Sequence, residues 1–226
     1  MVTQVLFGEL ATCVRREERW SLVRLCDDGY EGWMDNKQLA TLSSEEADRM
    51  QHWSRRARQA MVACRVDAHQ VWLPMAARLP EAPCRVAGIC IEPTDEACEA
   101  SLAPADLALQ FLGAPYLWGG KSCMGIDCSG LMQVAHAAAG IVLPRDAAQQ
   151  ASCGQAVGSL EEAQRGDLLF FRNDAGRIVH VGLFLGHGQV LHASGHVHID
   201  AIDSVGIHPV GSSSYTHRLH SIRRLD

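Results

Sequence analysis

The chain has little positive charge to spare. Its 20 Lys and Arg stand against 26 Asp and Glu, a net charge of −6. The only basic cluster is the short "RRAR" at 55–58. That balance argues against nucleic acid as a partner. No run of about 18 apolar residues is present, so the sequence predicts no membrane-spanning helix. Lipid-anchor signals are absent at both ends. The opening "MVTQVLFGEL" has no positive n-region, and Glu9 interrupts its apolar run early, which predicts a cytoplasmic location. Aromatic residues are few at 6%, yet 47% of the chain is hydrophobic, enough for a sizeable core in 226 residues.

The nine cysteines form no even framework of a small disulfide-rich fold. Thiols kept reduced are the simpler expectation. Cys123 and Cys128 make a C-x4-C spacing, but no second pair matches it, so a structural zinc site is not expected. No metal or organic cofactor is called for, and no obligate protein partner is evident.

The fold class expected is α+β. Residues 1–42 read as short strands, "QVLFGELATCV", "RWSLVRL" and "EGWMDNKQL", broken by the turn signals "RREE" and "DDGY". This spacing suggests a small β-barrel. Residues 43–60 are polar. Ser43 and Glu46 have the spacing of a capping box, but a solvated connector is the preferred reading. Residues 61–95 return to β-like runs broken by Pro74, Pro80 and Pro83. The Pro- and acid-rich stretch 92–106 marks a candidate boundary, giving domains 1–95 and 96–226.

In the second half, "PADLALQFLG", "CSGLMQVAHAAAG" and "RDAAQQASCG" predict helices. "DLLFFR", "IVHVGLFL", "QVLHAS" and "VHIDAI" then predict strands of an antiparallel sheet.

Cys128 falls at the first turn of the second of these helices, with Asp127 as N-cap. Unpaired backbone N–H groups and the helix dipole there favour a thiolate and offer donors to an oxyanion. From this stretch alone, a buried packing cysteine and a nucleophile fit equally well. The strands supply a base. With "GHG" (186–188) as a three-residue hairpin loop, Leu185 faces Gln189, Gly182 faces His192 and His180 faces Ser194. His180 and His192 then share one face as diagonal neighbours. One imidazole can act on Cys128 while the other holds its tautomer. A two-residue loop would put them on opposite faces. His187, His196, His198, His208, His217 and His220 receive no role. A metal site from His192, His196 and His198 lacks a nearby carboxylate or thiolate to complete it.

"PYLWGG", "GIDCSGL", "LPRDAAQQ", "GDLLFF", "HVGLFLG" and "QVLHA" follow in this order across roughly residues 110–195. This series resembles the NlpC-type papain-like cysteine peptidases that cut bacterial cell-wall peptides. The resemblance implies a papain-like catalytic domain with Cys128 as nucleophile, His180 as base and His192 as its orienter. "VLFGE" and "GYEGW" make residues 1–42 resemble the bacterial SH3-like domains of some members. Members so arranged resemble cytoplasmic γ-D-glutamyl-L-diamino acid endopeptidases of murein recycling, acting on tri- and tetrapeptides with a free N-terminal L-Ala. The same resemblance implies substrate-amine contacts from Tyr116, Asp127 and Ser129, with Glu9 and Tyr30 as the contribution of the SH3-like domain. An N-cap carboxylate cannot easily serve an ammonium as well, so Asp127 carries a tension. An amidase or acyltransferase on the same scaffold, or a cell-wall-peptide binding module, are the competing readings.

Overall fold

The computed structural model describes residues 1–94, 102–209, 211–212 and 214–225. The first strands form a three-stranded antiparallel sheet of β1 (Ala11–Arg16), β2 (Trp20–Leu25) and β3 (Glu31–Asp35). The segment read as a solvated connector is instead a helix, α1 (Ser44–Gln51). Its capping box is made in both directions: Glu46 N–H reaches Ser43 Oγ at 3.2 Å, and Ser43 N–H reaches Glu46 Oε2 at 2.9 Å. Met50 anchors it by entering the local apolar core with Val62, Leu73 and Leu79. One buried residue in a polar helix leaves no stripe for a sequence pattern to register.

β4 (Arg55–Arg56) pairs with β7 (Arg78–Leu79). β5 (Met61–Val66), β6 (His69–Pro74), β8 (Cys84–Val86) and β9 (Ile89–Pro93) make a four-stranded sheet in the order β6-β5-β9-β8. Residues 95–101, the middle of the candidate domain boundary at 92–106, lie outside the described residues.

The helices expected downstream are present: α2 (Pro104–Leu109), α3 (Cys128–Ala138) and a one-turn α4 (Ala147–Gln150). Before α3, β10 (Lys121–Ser122) and β11 (Gly125–Ile126) form a small hairpin with Cys123 in its turn. The large sheet contains β12 (Gln155–Val157), β13 (Leu168–Arg172), β14 (Ile178–Gly186), β15 (Gln189–Ser194), β16 (His196–Ile202), β17 (Gly206–His208) and β18 (His217–Arg224). All its pairings are antiparallel. The order is β12-β18-β13-β14-β15-β16-β17, and β17 pairs back onto β18. Six strands therefore close into a barrel with β12 outside it.

Both faces of this sheet are filled, as closure demands. Phe170, Val181, Leu183, Leu191 and Ala193 pack with Leu131, Met132 and Val134 of α3. Leu169, Phe171, Phe184, Val190, Ile207 and Ile222 form the core on the other side. At about 25 cal/mol per Å² of apolar area, each such side chain contributes roughly 1.5–3 kcal/mol. The sheet is thus a rigid support for whatever its edges present.

Candidate active site

Cys128 is the first residue of α3 and is buried. Asp127 caps the helix, with Oδ1 accepting from Gly130 N–H at 2.7 Å. Glycine at 130 is required by contact: a Cβ there would strike the carbonyl oxygen of Gly120. The helix start and the Gly119–Gly120 corner can approach only because neither carries a side chain, which accounts for the "WGG" and "CSG" runs. Cys123, five residues earlier, lies in the β10–β11 turn and has no such setting.

The histidines share a face as expected, but by another route. The β14–β15 loop has two residues, His187 and Gly188, not three. Gly186 pairs with Gln189 and Phe184 with Val190, so Leu185 is an extra residue, a β-bulge. Two residues in place of three would have flipped one strand's faces; the bulge adds the residue back. Gly182 still faces His192. Positive φ at Gly186, His187 and Gly188 (89°, 52° and 67°) carries the turn. Gly182 leaves the space between strands, since a Cβ there would meet Val190 Cγ2 at 2.6 Å.

His180 Nε2 lies 2.9 Å from His192 Nδ1, and His192 Nε2 lies 3.3 Å from Asp200 Oδ2. The carboxylate can only accept, so His192 carries its proton on Nε2 and offers a lone pair at Nδ1. His180 must then donate from Nε2, leaving Nδ1 unprotonated as the base. The chain Asp200–His192–His180 thus sets the tautomer at the far end. His217 stacks on His180 with ring centroids 4.2 Å apart. Backbone N–H groups of Val181, next to His180, and of Ser129 reach the Cys128 sulfur.

Electrostatics correct one expectation. Burial, then the Asp127 charge, push the Cys128 thiol up to about 11, outweighing the N–H groups and Arg145. Burial and the neighbouring His217, His192 and His198 hold His180 well below the usual imidazole range. Burial, chiefly, brings His192 down to about 4. Both directions favour a neutral thiol and a neutral imidazole at rest over the thiolate that the helix start suggests. The proton moves when the sulfur attacks.

The expected amine ligands divide. Asp127 Oδ1 accepts from Gly130 N–H, Arg145 Nη1 and Ser129 Oγ; Oδ2 accepts from Arg145 Nη2 at 2.6 Å and Gly119 N–H at 2.7 Å. Five donors meet about four lone-pair directions, so its capping and ion-pairing roles leave no position for an ammonium. Ser129 Oγ accepts from Arg145 and donates to Asp127, and keeps one lone pair. Tyr116 bridges to Ile126, beside Asp127. Burial, then Cys128 and Asp127, push its phenol up to about 12. Tyr30 lies within reach of the charges of Asp146, Arg145 and Asp127. Glu9 is turned elsewhere: Oε1 pairs with buried Lys121 Nζ at 2.8 Å, and Oε2 accepts from Leu6 N–H at 2.7 Å. It ties the N-terminal segment to the hairpin before α3.

Arg145, Lys121 and Asp200 had no assigned role. Arg145 lies within the quoted "LPRDAAQQ", but nothing in the pattern shows its partner. Asp200 was readable by period, since His196, His198 and Asp200 alternate along one strand. It supplies the carboxylate that a His192/His198 cluster seemed to lack, at 3.3 Å and 3.2 Å from the two rings.

A buried cysteine at a helix start and a pair of hydrogen-bonded histidines on an adjoining barrel define a papain-like thiol hydrolase site. Residues 113–224 match the NlpC/P60 family, and residues 1–39 match the bacterial dipeptidyl-peptidase SH3 domain. The chain belongs to the NlpC/P60 family of cysteine peptidases and carries that SH3 domain ahead of its NlpC/P60 domain. It is 51% identical over 85 residues to a γ-D-glutamyl-L-lysine dipeptidyl-peptidase of Bacillus subtilis, covering 37% of this chain and 28% of that protein. With the protein of that description in Bacillus cereus it shares 38% over 116 residues, 50% of this chain and 33% of the relative. The alignments thus span about a third or less of those relatives. The crystal structure of an NlpC/P60 family protein from Bacillus cereus superposes with a TM-score of 0.79 at 26% identity, covering 98% of this chain and 81% of that one.

Proposed function

We propose that the protein is a cysteine endopeptidase that hydrolyses the γ-D-glutamyl–diamino acid bond of free murein peptides with an unblocked N-terminal L-Ala. The observation that carries this reading is the N-terminal segment lying against the start of α3. Thr3 Oγ1 accepts from Arg145 Nε at 2.9 Å, and Gln4 Oε1 from Lys121 N–H at 2.7 Å. The backbone of Met1–Thr3 packs on Gly119. A wall of this kind at one end of the site would fit a substrate that ends there, two residues before the scissile bond. The description of the Bacillus relatives as dipeptidyl-peptidases agrees with such a substrate.

In the reaction, His180 Nδ1 takes the thiol proton as Cys128 Sγ attacks the γ-carbonyl carbon. His192 and Asp200 stabilise the imidazolium so formed. The imidazolium then protonates the leaving amine, and water, deprotonated by His180, releases the dipeptide acid. At the walled end, Tyr116, Tyr30 and the remaining lone pair of Ser129 supply oxygens for the ammonium. Asp127, paired with Arg145, acts there by shaping the corner. A desolvated ammonium without partners would cost several kcal/mol, and an acylated nitrogen is larger and carries no charge. The test compares kcat/KM on L-Ala-γ-D-Glu-diamino acid peptides, with diaminopimelate or lysine third, before and after N-acetylation of alanine. Acetylation should nearly abolish turnover. Equal kcat/KM would remove the gate, and release of no diamino acid from either form would favour an amidase or acyltransferase on another substrate.

A further inference from the structure

We propose that His192, His198 and Asp200 form a site for a divalent cation of the zinc type, and that an ion bound there switches off the Cys128–His180 pair by reversing the ring tautomers. The donor set is two imidazole nitrogens and one carboxylate oxygen, and the three ligand atoms lie within 4.8 Å of one another. Two of the three edges are known: His192 Nε2 to Asp200 Oδ2 at 3.3 Å, and His198 Nε2 to Asp200 Oδ2 at 3.2 Å. A tetrahedral zinc ion with bonds of about 2.0–2.2 Å separates its ligands by about 3.3–3.5 Å. The two edges to Asp200 are already close to those of a filled site.

His198 shows why an ion belongs there. Its Nδ1 lies 2.9 Å from the carbonyl oxygen of His196, an acceptor, so Nδ1 carries the proton. In the neutral ring Nε2 is then a lone pair directed at a carboxylate oxygen. Two acceptors at 3.2 Å need a cation or a proton between them. An imidazole whose other nitrogen donates to a backbone carbonyl is the usual arrangement of a metal-bound histidine. His192 and His198 face each other directly on β15 and β16, and Asp200 follows His198 by one strand repeat, so the barrel fixes all three. The His198 side chain is 26% exposed and gives an ion its way in; His192 and Asp200 lie deeper. The set excludes the catalytic thiol and leaves a fourth position for water.

The consequence follows from counting protons. Without the ion, His192 holds its proton on Nε2 and His180 on Nε2, with His180 Nδ1 free to receive the thiol proton. An ion on His192 Nε2 moves that ring's proton to Nδ1. His192 Nδ1 then donates to His180 Nε2, so the His180 proton must sit on Nδ1. Each ring still carries one proton, exchanged through solvent, and none is gained or lost. The nitrogen available to Cys128 is now a donor, and the base is gone.

The decisive experiment uses Zn²⁺ and His198→Gln, which removes one ligand outside the catalytic chain. Zinc binding is measured by calorimetry in the Cys128→Ala background, so that the catalytic thiol cannot contribute. We expect one equivalent to bind at micromolar Zn²⁺, and His198→Gln to weaken that binding at least about tenfold. With active protein, Zn²⁺ should lower kcat with little change in KM, EDTA should restore it, and His198→Gln should keep its own zinc-free turnover when zinc is added. The turnover arm rests on the activity proposed above. The binding arm, and slowed alkylation of Cys128 followed by peptide mass mapping, do not. Inhibition of His198→Gln at the zinc concentration that inhibits the parent would overturn the proposal, as would equal zinc binding with and without His198.

Discussion

Replacing Arg145 by Met tests how the start of α3 is built. The Arg145 and Asp127 side chains are only 2% and 7% exposed, and the guanidinium meets the carboxylate through two parallel hydrogen bonds of 3.0 and 2.6 Å. It also reaches Ser129 Oγ at 2.9 Å and Thr3 Oγ1 at 2.9 Å. Methionine fills similar space but leaves a buried carboxylate without its cation. Breaking a buried pair from one side costs about 3–5 kcal/mol. For a chain of this size, each kcal/mol lowers Tm by about 2–4 °C, so a drop of about 6–20 °C is expected in thermal unfolding. Arg145→Lys keeps the charge but not the fork, and should lie between. The cost is specific to the pair only if it shrinks when the carboxylate is gone. Asp127→Asn keeps an oxygen for Gly130 N–H, and in that background Arg145→Met should cost much less. If Arg145→Met melts with the parent, or costs as much with Asp127→Asn as without it, the reasoning fails.

Other outcomes follow from the same geometry. Cys128→Ala should abolish turnover with the fold intact, while Cys123→Ala keeps it, both read by product release and circular dichroism. His180→Ala should lose at least about 10²–10⁴-fold in kcat, the usual worth of a general base, and His192→Gln should retain part of the activity. His136, buried in α3 with Nδ1 on the Met132 carbonyl at 2.7 Å, is brought by burial down to about 4. Its neutral form is favoured in the fold, while the unfolded chain takes up a proton below about 6.5. Its contribution, about 3 kcal/mol, is therefore full above pH 6.5 and lost as pH falls toward 4. His136→Leu should flatten the stability profile over that window, measured by urea unfolding; an unchanged slope would show that His136 is not a source of it.

The face carrying His180 and His192 was legible because strand alternation survives most local irregularity. It held here only because the Leu185 bulge offset a shorter loop, and sequence spacing does not distinguish a three-residue loop from two residues and a bulge. Cys128 was legible from its capping residue and glycines, but its protonation was not, since that is set by burial in the folded core and by Asp127, Val181 and Arg145 around the sulfur. β18, "HRLHSIRR", closes the barrel through backbone pairing on both sides, with only Ile222 buried, and offers little apolar pattern. Glu9 was read as a carboxylate open to an ammonium and Asp127 as a helix cap that shares itself with one, because sequence shows a charge and not its partner. Lys121 and Arg145, 112 and 18 positions away, supply those partners.

The central claim is that Cys128 transfers an L-Ala-γ-D-Glu acyl group from a free peptide to water. Rapid acid quenching of the protein with L-Ala-γ-D-Glu-diamino acid, followed by mass spectrometry of the digest, reads this directly. The account predicts the mass of that dipeptidyl acyl group on the peptide containing Cys128, free diamino acid released with it, and neither in Cys128→Ala. Diamino acid released equally by Cys128→Ala, or an acyl mass on any other cysteine, would contradict it.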